Sequence, residues 1–136
     1  MKKFGIITIA VTFALFLIIA QGCSFSTANL SSLKTYKDQA GKEETSSYKV
    51  GDTIYGKALV SNNPGKVKVK LSLAGPKGET LKGSEVSVDI DGDGAASYSL
   101  PTGEGMPAGS YKLTADMIND SGEKKDSKSA TITVAE

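Results

Sequence analysis

Along most of the chain, apolar and polar residues alternate with a period of two. Val67, Val69, Leu71 and Leu73 share one side of an extended backbone, while Lys66, Lys68, Lys70 and Ser72 share the other. Such alternation gives a pleated strand one apolar and one solvated face. Ile54, Gly56, Ala58 and Val60 repeat it just upstream, and Val86, Val88 and Ile90 repeat it downstream. Ala96, Tyr98 and Leu100 follow, then Tyr111, Leu113, Ala115 and Met117, then Ala130, Ile132 and Val134. A first strand over positions 28–36 breaks the rhythm. Leu30 and Leu33 are three apart there, which predicts a bulge.

The connecting segments carry turn chemistry. Ser61-Asn62-Asn63-Pro64-Gly65 predicts either a hairpin or a corner between sheets. Asp91-Gly92-Asp93-Gly94 predicts a hairpin, and Asn119-Asp120-Ser121-Gly122 is a further turn set. No segment beyond position 27 shows the helical period. The expectation is an all-β domain over residues 28–136, an antiparallel two-sheet sandwich of about seven strands. Val50-Gly51-Asp52-Thr53 leading into Val60-Ser61-Asn62-Asn63, and Tyr111 just after the turn Pro107-Ala108-Gly109, resemble bacterial immunoglobulin-like domains. That resemblance implies fold rather than function. The cysteine pair and tryptophan of antibody-type domains are missing.

The start of the chain has a different pattern. Lys2 and Lys3 precede an uncharged, mostly apolar run over positions 4–20, followed by Gln21, Gly22 and Cys23. A basic flank, an apolar middle and a small residue before a cut point describe a helical secretory signal. The run is short for a membrane span, which needs about 20 residues. Gly22 and Cys23, the latter the only cysteine in the chain, resemble the end of a bacterial lipoprotein signal. Ala20 stands where leucine is common, and Gln21 where alanine or serine is typical. The resemblance implies cleavage between Gly22 and Cys23, with residues 1–22 as signal peptide. It also implies a diacylglycerol and further acyl chains such as palmitate on Cys23, and residues 23–27 as a lipidated tether. Two or more acyl chains hold a protein on a membrane stably, whereas one does not. Ser24 replaces the aspartate that marks inner-membrane retention, so in a Gram-negative host the resemblance implies the outer membrane.

Composition narrows the chemistry. All 16 basic residues are lysine, 15 residues are acidic, and the formal net charge is +1. Removal of residues 1–22 takes away Lys2 and Lys3 and leaves one acid more than lysine. This balance gives no electrostatic footprint for nucleic acid. Histidine is absent, which removes the commonest general base and zinc ligand. The single thiol is reserved for lipid, Glu43 and Glu44 read as a solvated loop, and no serine stands in a nucleophile motif. The chain is therefore expected not to be an enzyme.

Three features remain as candidate contacts. Asp89, Asp91 and Asp93, followed by Gly94, match the opening of a calcium loop. Position twelve of that loop is Leu100 rather than a glutamate, so a solvated turn competes with a weak calcium site. Lys66, Lys68 and Lys70 form a basic face that could meet anionic headgroups or surface polysaccharide, with guarding of an edge strand against aggregation the preferred reading. Tyr36, Tyr48 and Tyr55 are expected to be the exposed aromatics, with ordinary packing preferred over sugar stacking in a chain without tryptophan. Tyr98 and Tyr111 are expected in the core.

The reading is a lipid-anchored envelope protein whose sandwich is a binding or structural module. It would display the loops at positions 62–65, 91–94 and 102–109. The alternatives are a calcium-dependent or ligand-sensing module built on Asp89, Asp91 and Asp93, and an accessory subunit of an envelope assembly with a protein partner.

Overall fold

The computed structural model describes residues 27–103 and 106–136. The expected signal, its cleavage point at Gly22 and the lipidation site Cys23 lie outside the described residues. Eight strands follow in order: β1 (Asn29–Tyr36), β2 (Ser47–Lys49), β3 (Thr53–Ser61), β4 (Lys66–Ala74), β5 (Val86–Asp91), β6 (Gly94–Pro101), β7 (Gly109–Asn119) and β8 (Lys124–Ala135). They form two sheets. One has the order β1-β3-β6, the other β2-β8-β7-β4-β5. The all-β sandwich predicted from the alternation is the observed fold.

The core lies between the sheets and is made of the residues that the alternation placed on one side. Ile54 and Ala58 from β3, Val69 and Leu71 from β4, Leu113 from β7 and Ile132 from β8 have no exposed surface. Each large aliphatic buried this way contributes about 1.5–3 kcal/mol relative to exposure. Gly56 lies opposite Tyr98 in the β3–β6 ladder. A Cβ at position 56 would come within 2.8 Å of Leu113 Cδ2, so the missing side chain lets the facing sheet approach. The predicted bulge is present as a register shift between Leu30 and Ser32.

Four expectations are corrected. First, β2 was not foreseen; three residues are too few for alternation to register. It runs parallel to β8, Tyr48 pairing with Val134, so the sandwich is not wholly antiparallel. Second, Asp91-Gly92-Asp93-Gly94 does not close a hairpin. Strand β5 belongs to the five-stranded sheet and β6 to the three-stranded one, so the turn crosses between sheets. The segment after β3 does the same, as the corner alternative required. Third, β4 is not an edge strand, because it pairs with β5 on one side and β7 on the other. Fourth, β8 begins at Lys124, well before the apolar positions at its end, because its first half is held by the β7 ladder. The turn Asn119-Asp120-Ser121-Gly122 does close the β7–β8 hairpin, with the Gly122 N–H donating to the Asn119 carbonyl.

Strand direction gives the sandwich two functional ends. Asn29 at the start of β1 pairs with Ser61, and Tyr36 at its finish pairs with Tyr55. The chain therefore enters beside the two corners, where Thr27 Oγ1 donates to the Asn62 carbonyl at 2.9 Å. The opposite end carries the connections over residues 37–46, 50–52 and 75–85, together with residues 102–103 and 106–108.

Candidate functional site

The two corners interlock. Asn62 and Gly92 take positive φ, 56° and 71°, which asparagine and glycine tolerate best. The Asn63 backbone N–H donates to Asp93 Oδ1 at 2.9 Å, and its side-chain amide donates to the Gly92 carbonyl at 2.7 Å. The Gly92 N–H donates back to the Gly65 carbonyl at 2.8 Å. Asp93 thus ties one corner to the other. Asp89 and Asp91 lie on the outer face of β5, directly opposite Lys68 and Lys66. The structure does not bring the three aspartates together. Among the described residues no group of three or more acidic, cysteine or histidine side chains is placed to share a cation.

The lysine ladder is matched by acids on both sides. Asp91 and Asp89 stand across from Lys66 and Lys68, and Asp116 of β7 stands across from Lys70. Lys70 also pairs with Glu85 at 3.6 Å. The face that looked basic along one strand is a mixed-charge surface once its neighbours are in place. Glu43 and Glu44 sit in the connection over residues 37–46, where Glu44 pairs with Lys34 at 3.4 Å.

At the far end, three tyrosine hydroxyls pin connecting segments. Tyr48 is buried, contrary to expectation, because β2 turns it inward, and its hydroxyl donates to the Tyr36 carbonyl at 2.7 Å. Burial raises its pKa. Tyr98 donates to the Ser84 carbonyl at 3.0 Å, and burial pushes its pKa up to about 12. Tyr111 donates to the Pro107 carbonyl four residues back, holding the start of β7 to the connection before it, and burial raises its pKa too. Thr102 joins the same end. Its hydroxyl accepts the Gly51 N–H at 2.8 Å and donates to the Asp52 carbonyl at 2.6 Å.

Tyr36 and Tyr55 are the expected aromatics that do reach the surface. They are directly opposed on β1 and β3, and Ser99 of β6 lies across from Tyr55. Neighbouring side chains in such a row are about 5 Å apart. The connection after β1 folds over this row and closes a cleft of about 230 Å³. Asp38 shapes that connection. Its carboxylate accepts the Lys42 N–H at 3.0 Å and the Glu43 N–H at 2.9 Å. Those backbone bonds, led by the one from Glu43, hold its pKa below the usual carboxylate value. Lys57 Nζ donates to the Ala40 carbonyl at 3.2 Å and fastens the connection to β3. This cleft escaped sequence reasoning because its residues come from three strands and a loop. Only the exposed-tyrosine expectation pointed toward it.

No family model and no curated protein matches the sequence. Solved structures do match. A family 76 glycoside hydrolase from a bovine Bacteroides thetaiotaomicron strain aligns over 79% of this chain at 19% identity and a TM-score of 0.50. This chain spans only 20% of that one. A Niemann-Pick type C2 protein from Japanese carpenter ant aligns over 82% of this chain and 96% of its own, at 16% identity and a TM-score of 0.50. The first match corrects the expectation that the chain is not an enzyme, since a chain containing this fold is a glycoside hydrolase. The argument from missing histidine fails on physical grounds as well, because glycosidic bonds are cleaved by carboxylate pairs. At these identities the likeness is one of fold: the chain shares its β-sandwich architecture with both proteins.

Proposed function

We propose that the protein is a bacterial envelope lipoprotein, held by acyl chains on Cys23, whose sandwich binds a ligand away from the membrane. The observation that carries the anchor is the position of the only cysteine, immediately after Gly22 and the apolar run over positions 4–20. The direction of β1 supports the display. The chain enters the sandwich at the corner end, and Thr27 is bound to Asn62 there. Four residue steps separate Cys23 from Thr27, a reach of at most roughly 14 Å, so the corners lie near the headgroups. The cleft beside Tyr36 and Tyr55 lies at the other end of β1, seven strand steps on, or roughly 23 Å. The loops nominated from sequence thus separate by role. Those at positions 62–65 and 91–94 face the membrane, and the described residues of the 102–109 loop face away from it.

The test is the mass of the N-terminal peptide from protein isolated from membranes. A diacylglycerol-modified Cys23 as first residue is the expected result. An intact Met1, or an unmodified Cys23, overturns the anchor.

A further inference from the structure

We propose that the cleft beside Tyr36 and Tyr55 binds an uncharged glycan. The proposal deepens the reading of this sandwich as a binding module by naming the class of ligand.

A sugar ring needs a flat apolar surface for its C–H face and neutral donors and acceptors for its hydroxyls. The outer face of the β1-β3-β6 sheet provides both. Tyr36 and Tyr55 stand side by side on adjacent strands, both half-buried, and offer two aromatic side chains at one cleft. Ser99 is level with Tyr55 in the next strand, and Ser97 is one row along, opposite Lys57. Gln39 overhangs from the loop that closes the cleft.

Charge selects among ligands that stack on aromatic rings. The two charged side chains at the cleft are of opposite sign, and each also makes hydrogen bonds within the fold. Asp38 caps the backbone N–H groups of Lys42 and Glu43, and the Lys57 ammonium is bound to the Ala40 carbonyl. The other polar side chains at the cleft are the amide of Gln39 and the hydroxyls of Ser97, Ser99, Tyr36 and Tyr55, none of which makes a hydrogen bond to another described residue. These are amide and hydroxyl groups, which donate and accept without carrying a formal charge. A phosphate-bearing or carboxylate-bearing ligand would meet the Asp38 carboxylate as well as the Lys57 ammonium there. A neutral polyhydroxylated ring meets matched partners on every side.

The experiment uses the full chain in a detergent without a sugar headgroup, titrated with neutral hexasaccharides such as cellohexaose and maltohexaose. Amide chemical shifts and tyrosine fluorescence report binding, the latter undisturbed because the chain has no tryptophan. The expected result is saturable binding of at least one oligosaccharide with a Kd of about 1 mM or tighter. Shifts should centre on Gln39, Tyr55, Ser97 and Ser99, and affinity should be unchanged between low and high salt. Tyr55→Ala and Tyr36→Ala should each weaken it roughly tenfold or more, while Leu59→Ala, on the same face outside the cleft, should leave it unchanged. Should the tyrosine variants unfold, Ser97→Gln fills the cleft from an exposed strand position and is expected to give the same loss. No saturable binding up to about 10 mM, binding undiminished by Ser97→Gln, or salt-sensitive binding of an oligonucleotide in place of the hexasaccharides overturns the proposal. The mass of the N-terminal peptide is read independently, so a failed anchor and a failed glycan site are distinguishable.

Discussion

The carboxylate of Asp126 on β8 accepts the backbone N–H of Leu30 on β1, Oδ2 to N at 2.8 Å. The two residues belong to different sheets and are 96 positions apart. Leu30 flanks the bulge of β1, and its side chain is buried in the core. The carboxylate therefore satisfies an edge N–H and joins the sheets where β1 passes β8.

Asp126→Ala should leave that N–H without its acceptor. A hydrogen bond to a charged group contributes about 1.5–3 kcal/mol, so the urea midpoint should fall accordingly. Asp126→Asn keeps a carbonyl acceptor and should recover part of the loss. An unchanged midpoint in the alanine variant would show that the inter-sheet bond contributes nothing.

Thr102 performs a similar task at the other end, where its hydroxyl both accepts from Gly51 and donates to Asp52. Thr102→Val preserves shape and removes both bonds, at a cost of about 1–3 kcal/mol. Thr102→Ser keeps the hydroxyl and should stay within about 1 kcal/mol of the parent. Thermal unfolding of the two variants side by side decides whether the hydroxyl or the methyl group matters.

Alkaline stability should follow the buried phenols. Tyr98 has an ordinary pKa of 10.0 that folding raises to about 12, because burial disfavours the phenolate. The unfolded chain releases this proton first. The stabilisation is complete below pH 10.0 and is lost as pH rises toward about 12. Tyr48 and Tyr111 shift in the same direction and reinforce it. Tyrosinate absorbance and loss of far-ultraviolet dichroism should appear together over that window. Tyr98→Phe should be less stable near neutrality, through the lost bond to Ser84, and should depend less steeply on alkaline pH. Ionisation of all five tyrosines before any unfolding would contradict the assignment.

Calcium should have little effect on stability. Asp89 and Asp91 face lysines across the β4–β5 ladder, and Asp93 accepts the Asn63 N–H. A cation at Asp89 and Asp91 would have to displace the attraction of Lys66 and Lys68. The melting temperature should be the same in millimolar calcium and in chelator. A rise in calcium that disappears in Asp91→Ala would establish the site. Asp93→Ala should lower the melting temperature in both conditions, because it releases one corner from the other.

Much of the fold was legible in the chain, and the reason is local. A strand buried on one side must alternate, so Val67 to Leu73 and Tyr111 to Met117 declared both their conformation and their inward face. The bulge near Leu30 was legible for the same reason, as a fault in that alternation. Tyr48 was misjudged because its strand is three residues long and is held by β8 rather than by its own pattern. The candidate cleft was legible only as an exposed-tyrosine expectation.

By itself, then, the sequence determined the strands other than β2, their apolar faces, the turns and the lone cysteine behind an apolar run, because each depends on residues close together along the chain. Tertiary structure decided which sheet each strand joins. Asp-Gly turn chemistry permits a hairpin and a crossing alike, and the choice rests on core packing on both sides of Asp91-Gly92-Asp93-Gly94. Structure also decided the electrostatics of the lysine strand, since Lys66 and Lys68 acquire Asp91 and Asp89 as neighbours only through pairing register. It placed Tyr36 beside Tyr55, 19 positions apart in the chain, because direct opposition between strands is a property of the β1–β3 ladder that neither strand carries alone.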